Sequence, residues 1–359
     1  MDLRISFRSL DGAGHELDAR NGRWADPVSP GGTTLDLADL WCLAGLADAH
    51  AHLSQDWMVL EPGRPEEIRR RAYATLEQGV FLCLDKGWGD RAVLTLLDTR
   101  PEDRPDLQAA GRMIAAPGGY YPGFGVEVDD DGLVAAVAAE ASASAGWVKL
   151  VGDWPRRGQG ALANFSEAAL SRAVALAHAA GARVALHTMA PEVASTAVRA
   201  GVDSIEHGLF LTEDDVRVLG ARGGAWVPTI LRVEAVIAEV GPERTGGRLL
   251  TEGLDRVRSL LPIAADAGVA VLAGTDLAVP SREVGAEAIR LAAFGLPAAA
   301  SVASASTAAF RYAGIPSGFE PTLPADLVAF DRHPEEDLGV LTRPVLVIRL
   351  GRVLLDRRR

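Results

Sequence analysis

Residues 166–208 read SEAALSRAVALAHAAGARVALHTMAPEVASTAVRAGVDSIEHG and contain two helix-then-strand units in succession. Apolar residues recur at helical spacing in SEAALSRAVALAHAAG and again in PEVASTAVRAG, and both stretches end at a glycine. The short apolar runs ARVALHT and VDSIEHG follow directly, and each carries a histidine near its end. The pattern predicts parallel strands joined by helices, with polar groups where the strands end.

The same alternation of helix and strand continues on both sides of this stretch, from about residue 64 to residue 276. The predicted strands lie at about 42–48, 80–85, 111–115, 146–151, 182–187, 203–206, 225–229 and 269–274. Eight parallel strands with intervening helices predict an α/β fold of the (β/α)8 TIM barrel type. The third strand, GRMIAA, has the weakest pattern of the eight.

The two ends of the chain have a different pattern. Short β segments with turns fill residues 1–40, and residues 325–355 contain the strand-like runs ADLVAFD and VLVIRLGRVLLD. We expect these pieces to pair as a small composite β domain of residues 1–44 and 322–359, beside a barrel of residues 45–321.

Composition limits the classes of partner. The formal net charge of −12 disfavours nucleic acid and anionic membranes, because both attract basic surfaces. No apolar run approaches the roughly 20 residues of a membrane span, and the amino terminus lacks the apolar core of a signal peptide. We therefore expect a cytoplasmic protein that acts on a small molecule, and homo-oligomerisation is left open.

Potential metal ligands recur at the ends of the predicted strands. In a strand, residues i and i+2 point to the same side, so the two histidines of GLADAHAHL share one face. Any one histidine, taken alone, is best explained as an ordinary core or loop residue. Four of the seven histidines nevertheless fall at strand ends, while His15, His178 and His333 lie in a predicted turn, helix and loop. The side chains at the strand ends are His50, His52, Lys149, His187, His207 and Asp276.

These stretches resemble the amidohydrolase superfamily, in the branch with imidazolonepropionase-like and prolidase-like enzymes. The resemblance covers about residue 40 to the carboxyl terminus, and AGVDSIEHG with AGTD is its most specific part. The matching stretches are LAGLADAHAHL, WVKLVGDW, FSEAALSRAVALAHAAGARVALHTMAPEVASTAVRAGVDSIEHG, WVPTI, AGVAVLAGTD, LPADLVAFDRHPEEDL and VIRLGRVLLD. The resemblance implies a (β/α)8 barrel with a small β-sandwich formed from both chain ends.

The resemblance also implies a binuclear metal centre. It makes His50 and His52 ligands of one divalent ion, His187 and His207 ligands of a second, and Asp276 a ligand that also transfers protons. Prolidase-like relatives carry a carboxylated lysine at the position of Lys149, which implies an N6-carboxylysine here.

An unmodified ammonium has no lone pair with which to bind a cation, and the alternative for Lys149 is to snorkel or to pair with Asp153. Two Zn²⁺ ions suit imidazole and carboxylate ligands best, although Mn²⁺, Fe²⁺, Co²⁺ and Ni²⁺ are also compatible. Two neighbours of the ligands have lesser expected roles. Glu206 alternates away from the ligand side, so we expect packing or a salt bridge, and Thr275 either orients Asp276 or belongs to a turn.

The loops after the strands suggest a substrate surface of aromatic rings beside guanidinium groups, which suits a flat or apolar substrate with a carboxylate. The alternative for each arginine is a solvated loop position. Where many prolidase-like relatives have a histidine after Gly-Gly, this chain has Tyr120, and Leu84 precedes Asp85 where Arg-Asp is common; both departures argue against ordinary dipeptidase activity. The candidate substrate-binding residues are Trp88, Tyr120, Tyr121, Trp154, Arg156 and Arg232.

The favoured function is metal-dependent hydrolysis of a C–N amide or cyclic amide bond, in which a water acidified by the metal is the nucleophile. Deamination, or hydrolysis of a lactone or another ester, is the alternative within the same superfamily. A catalytically silent metal-binding barrel is the alternative from another class.

Overall fold

The computed structural model describes residues 3–27, 33–55, 60–156 and 158–358. The strands of these residues are β1 Leu3–Ser9, β2 Gly14–Arg20, β3 Arg23–Ala25, β4 Thr33–Leu43, β5 Leu46–Ala51, β6 Val80–Asp85, β7 Asp106–Ala109, β8 Ile114–Ala115, β9 Val126–Glu127, β10 Trp147–Val151, β11 Asp153–Arg156, β12 Gly160–Ala163, β13 Arg183–Thr188, β14 Ser204–His207, β15 Ala225–Val227, β16 Ala270–Val271, β17 Leu327–Phe330, β18 Leu346–Arg349 and β19 Arg352–Asp356.

The α-helices lie mainly between the barrel strands. They are α1 Pro65–Leu76, α2 Asp130–Ala143, α3 Glu167–Ala179, α4 Val193–Arg199, α5 Glu213–Ala221, α6 Ile230–Val240, α7 Thr245–Asp266, α8 Gly285–Ala293, α9 Ala298–Ser304 and α10 Thr307–Ala313. Glycines with positive φ follow several of them, such as Gly181 at 77° and Gly201 at 91°. The predicted glycine stops before strands are confirmed at these positions, because the left-handed conformation ends a helix and glycine adopts it without strain. Among the described residues, no helix is both long enough and apolar enough to cross a bilayer.

The barrel strands form two parallel ladders whose ends are joined by a few backbone hydrogen bonds. One ladder has the order β5-β6-β7, and the other has the order β16-β15-β14-β13-β10-β8-β9. Reciprocal backbone bonds between Ala109 and Ala145 (3.0 and 2.8 Å) connect β7 to the chain before β10. Ala49 N donates to Ala273 O at 2.8 Å and connects β5 to the chain after β16. The strands thus follow one another around a ring, as the predicted TIM-barrel fold requires.

Two predicted barrel strands were placed wrongly. The prediction of 42–48 spans a break, because β4 ends at Leu43 and β5 begins at Leu46. Gly45 lies between them at φ 146°, and a Cβ there would stand 2.6 Å from Phe81 Cδ2, so only glycine fits the turn from one sheet to the next. The third strand is not 111–115 but β7, which pairs with β6; the short β8 pairs with β9 and β10 instead.

The two ends of the chain form one seven-stranded sheet with the order β19-β18-β17-β4-β1-β2-β3. The ends meet where β4 pairs antiparallel with β17, with Leu43 opposite Val328. The predicted pairing of both termini is confirmed. Arg349, only 2% exposed, bonds to Asp326 in this region (2.5 Å) and to Asp106 on β7 (3.0 Å), so a buried ion pair ties the terminal sheet to the barrel.

Candidate metal centre

His50 and His52 stand at the end of β5 with both rings buried. His50 Nδ1 lies 2.5 Å from Glu206 Oε2, and His52 Nδ1 lies 2.8 Å from the carbonyl oxygen of Gly87. Since both partners accept hydrogen bonds, each Nδ1 carries the proton and each Nε2 keeps a lone pair. Both Nε2 atoms turn toward Asp276 Oδ1, at 3.5 Å from His50 and 3.2 Å from His52. The expected common face of the two rings is thereby confirmed.

Asp276 brings the end of the eighth strand to these histidines. One ligand atom each from His50, His52 and Asp276 can be chosen so that all three lie within 4.8 Å of one another, a spacing that can hold a metal ion. The close approach depends on Gly274, where a Cβ would come within 2.5 Å of His50 Cβ. Asp276 itself has φ 41°, and its amide donates to His50 O at 2.9 Å. In the AGTD sequence, Gly274 is therefore required for steric reasons, and Asp276 supplies the candidate ligand.

His187 and His207 form the other half of the cluster. His207 Nδ1 lies 2.5 Å from Thr229 Oγ1, whose hydroxyl donates to Pro228 O at 2.8 Å, so the threonine oxygen accepts from the ring. His207 Nε2 lies 2.9 Å from His187 Nδ1 and 3.8 Å from Asp276 Oδ2. The two rings thus direct nitrogen atoms to one point beside the carboxylate.

His50, His187 and His207 are held in the neutral form that a metal ligand needs. Burial lowers the pKa of His50 to about 4 and that of His207 to about 3. Burial, with neighbouring His207, lowers the pKa of His187 well below its ordinary value. Burial acts the other way on Asp276, but nearby His50 and His52 hold the pKa of its carboxyl well below the usual range. Neutral imidazoles around an ionised carboxylate suit a cation.

Lys149 lies on β10, 2% exposed, and its Nζ has no hydrogen-bond partner among the described residues. Burial lowers the pKa of this amine to about 8. Its expected alternative partner, Asp153, accepts instead from Met189 N at 3.2 Å. A buried amine without a partner is costly, so this position calls for a further group or for modification.

The Glu206 side chain lies between Lys86 and the candidate ligand His50, a position that sequence analysis did not predict. A salt bridge was expected and is present, since Lys86 Nζ lies 3.3 Å from Glu206 Oε1. The expectation that Glu206 turns away from the ligands was wrong, because its other oxygen contacts His50. His207 has φ 63°, so the strand ends there and strict alternation no longer applies. Burial alone would raise the pKa of Glu206, but Lys86 and His50 hold it well below the usual range.

Three further buried carboxylates hold the backbone that carries the ligands, and sequence analysis missed all three roles. Asp48 accepts from His50 N (3.0 Å) and from the Thr275 amide and hydroxyl (3.1 and 2.7 Å). Asp85 accepts from Leu53 N (2.7 Å) and Gly87 N (2.8 Å), and so fixes the carbonyl that receives His52. Glu287 accepts from Ile230 N (2.7 Å) and Leu231 N (3.1 Å) at the start of α6, next to Thr229. Thr275 thus bonds to Asp48 rather than orienting Asp276 directly.

Four of the predicted substrate residues form an aromatic cluster with Phe124, which sequence analysis did not single out. Trp88 is fully buried and meets the His52 ring edge-on at 5.4 Å between centroids. Trp154 is partly exposed and stands 5.8 Å from the His187 ring. Tyr120 lies between them, 4.5 Å from Trp154, and Tyr121 is 5.2 Å from Trp154. The cluster therefore borders both pairs of histidines.

The two predicted arginines lie in different surroundings. Arg156 donates to Asn164 Oδ1 at 3.2 Å and lines a cavity of about 530 Å³ whose walls include none of the clustered histidines. The Arg232 side chain is 16% exposed, with Glu239 at 3.7 Å. Burial and then Asp276 raise the pKa of Tyr120, while Arg232 acts in the opposite direction.

The three remaining histidines lie elsewhere. His15 stacks on Phe7 at 4.9 Å in the terminal sheet, so the predicted turn is wrong and the residue belongs to β2. His178 on α3 pairs with Asp203 at 2.8 Å, and His333 packs on Trp41 at 4.4 Å.

The fold and the cluster at its strand ends define a TIM-barrel protein with a candidate metal site at the barrel mouth. The chain belongs to the amidohydrolase family, which it matches over residues 41–354, and this membership supports a metal-dependent hydrolase. It is also 35% identical to an uncharacterized protein of Mycobacterium tuberculosis, over 98% of this chain and 95% of that one.

Solved structures share the fold at low sequence identity. One is a Xaa-Pro dipeptidase with bound methionine in the active site, with a TM-score of 0.81 and 23% identity over 98% of this chain and 99% of that one. Another is the ochratoxinase of A. niger, with a TM-score of 0.79 and 18% identity over 99% of this chain and 96% of that one.

Proposed function

We propose that this protein hydrolyses a C–N bond, an amide or a cyclic amide, in a small molecule with the help of two divalent ions. The observation that carries the proposal is the arrangement of four histidines and a carboxylate at the strand ends, with a buried lysine amine on a barrel strand that has no hydrogen-bond partner among the described residues. The carboxyl ends of the strands are where TIM-barrel enzymes place their chemistry.

The donor set fits divalent metal. His50 and His52 would hold one ion, His187 and His207 the other, and Asp276 would be a further ligand. Lys149 would join as an N6-carboxylysine, since carboxylation turns its unpartnered amine into an anionic oxygen ligand and removes the cost of burying it alone. Zn²⁺ is the metal that imidazole and carboxylate ligands suit best. When bound, such ions supply Lewis acidity and acidify water enough for it to attack at neutral pH.

The protein's own groups have three tasks in this proposal. The acceptors on the Nδ1 atoms of His50, His52 and His207 leave their Nε2 atoms unprotonated and hold the rings in place. The Asp276 carboxylate takes the proton of the attacking water and delivers it to the leaving nitrogen. The buried aromatic cluster excludes bulk water from the reacting carbonyl, which strengthens electrostatic effects there.

The substrate proposal rests on the same cluster. Trp88, Tyr120, Tyr121 and Trp154 offer ring faces and edges to a flat or apolar part of a substrate. Arg232, the other predicted arginine, would receive a carboxylate. Arg156 is the weaker candidate for binding the substrate carboxylate, because the cavity that it lines includes none of the clustered histidines.

The test measures metal content and products together. Purified protein is analysed for bound divalent ions and assayed against N-acyl amino acids, cyclic amides, lactones and aminated heterocycles, with His178→Ala as a control that changes a histidine outside the site. We expect about two ions per chain and release of a carboxylate from an amide without ammonia. Ammonia from a heterocycle would replace the proposal by deamination, and lactone cleavage alone would replace it by ester hydrolysis. Failure to bind any divalent ion tightly would refute it.

A further inference from the structure

A charged pair lies inside the barrel beneath the candidate metal centre. Lys86 follows β6 and is 1% exposed, and Glu206 on β14 is fully buried. Lys86 Nζ lies 3.3 Å from Glu206 Oε1 and 4.2 Å from the centroid of the Trp147 ring, so the ammonium rests between a carboxylate and an aromatic face. Two charges without solvent are costly to bury, which makes a purely structural purpose a poor explanation for the pair.

The carboxylate divides its two oxygens between two tasks. Oε1 accepts the Ser204 hydroxyl at 2.6 Å and faces Lys86, while Oε2 lies 2.5 Å from His50 Nδ1. Ser204 and Lys86 thereby fix the plane of the carboxylate. The other oxygen, Oε2, places the proton of His50 on Nδ1 and orients the ring.

We propose that Glu206 is the positioning residue of the metal ligand His50, and that Lys86 acts on the metal centre only through Glu206. The inference rests on the proposed metal site and adds to it two residues that are not themselves ligands. A carboxylate on the far nitrogen of a ligating histidine both orients the ring and makes it a stronger donor, and loss of such a partner typically costs about 10- to 100-fold in metal affinity.

Lys86 differs from Lys149 in what surrounds it. Neither amine has a hydrogen-bond partner among the described residues, but Lys86 has an anion at salt-bridge distance and an aromatic ring, whereas Lys149 has no salt bridge there. An ammonium so placed is a fixed positive partner for Glu206. Its removal should therefore loosen the carboxylate and, with it, His50.

The test measures affinity for Co²⁺ and Zn²⁺ by chelator competition, together with the visible absorption spectrum of bound Co²⁺, which reports ligand geometry. Glu206→Gln should weaken the binding of one ion by about 10- to 100-fold and change the spectrum. Lys86→Met should weaken binding in the wild-type background but change it less than twofold in the Glu206→Gln background. Glu140→Gln is the matched control, because Glu140 is equally buried in an ion pair with Arg91 but lies away from the ligands.

The outcomes separate this inference from the proposed function. Wild-type protein that binds no divalent ion would refute both. Wild-type protein that binds metal, with Glu206→Gln unchanged in affinity and spectrum, would overturn the inference alone, and additive effects of the two substitutions would overturn the role given to Lys86. If Glu206→Gln does not fold, Glu206→Asp keeps the charge beside Lys86 but shortens the side chain, and it should weaken binding in the same direction.

Discussion

Replacing Asp48 should destabilise the protein strongly, because this side chain joins the first barrel strand to the chain after the eighth. Its carboxylate is fully buried and accepts from His50 N at 3.0 Å, Thr275 N at 3.1 Å and Thr275 Oγ1 at 2.7 Å. Asp48→Ala leaves two buried amides without an acceptor, while the Thr275 hydroxyl can rotate. At about 1–3 kcal/mol for each unsatisfied donor, the expected loss is about 2–6 kcal/mol. Both amides donate to Oδ1, which Asp48→Asn keeps, so this variant should cost clearly less than Asp48→Ala.

The assay is reversible urea unfolding of metal-free protein, followed by circular dichroism, so that lost metal binding does not contribute. Asp214→Ala is the control, because the Asp214 side chain is 93% exposed and should change stability by less than about 0.5 kcal/mol. Equal midpoints for Asp48→Ala and Asp214→Ala would refute the reasoning. A loss confined to the metal-loaded protein would also refute it, since the hydrogen bonds described do not need an ion.

Three further predictions concern the site and its support. Asp276→Asn should abolish hydrolysis while circular dichroism stays unchanged, and an unaltered rate would contradict its proton-transfer role. Lys149→Ala should lose one of two bound ions, and short carboxylic acids should restore part of the activity; unchanged metal content without rescue would exclude a carboxylated lysine. Burial, with Glu234 and Asp48 nearby, raises the pKa of Glu287 from 4.5 to about 8. Because the folded pKa is the higher one, this carboxyl stabilises the fold most below pH 4.5, and its contribution is lost as the pH rises toward 8. Urea midpoints measured across that range should fall less steeply in Glu287→Gln than in wild type, and identical slopes would contradict the assignment.

Sequence periodicity was a good guide to the barrel because most of its strands are short, buried and separated by amphipathic helices. The strand predicted at 80–85 agrees with β6, and 146–151 differs from β10 by one residue. Prediction failed where two sheets meet at Gly45, since an unbroken apolar run hides a change of direction. It failed again at β7, because Asp106–Ala109 is only partly buried and carries little hydrophobic signal.

The ligand candidates were visible in the sequence because histidine is rare and strand ends converge. The residues that orient them were not. Thr229 lies beside His207 because it follows β15, the neighbour of β14, and Glu287 on α8 holds the start of the next helix; no spacing in the sequence indicates either contact. Lys86 directly follows β6, and the sequence does not show that its side chain turns inward to a carboxylate on β14. Asp48 had a local signal, since it lies two residues before His50 and so on the same side of the strand.

The pairing of β4 with β17 has a consequence for biosynthesis. Leu43 is synthesised long before its partner Val328. At elongation rates of about 5–20 residues per second, tens of seconds separate the two. During that interval the edge of β4 that later pairs with β17 is unpaired, and an unpaired edge can form hydrogen bonds with the wrong strand. A ribosome-stalled chain that ends before residue 327 should therefore depend on chaperones more than the finished protein does.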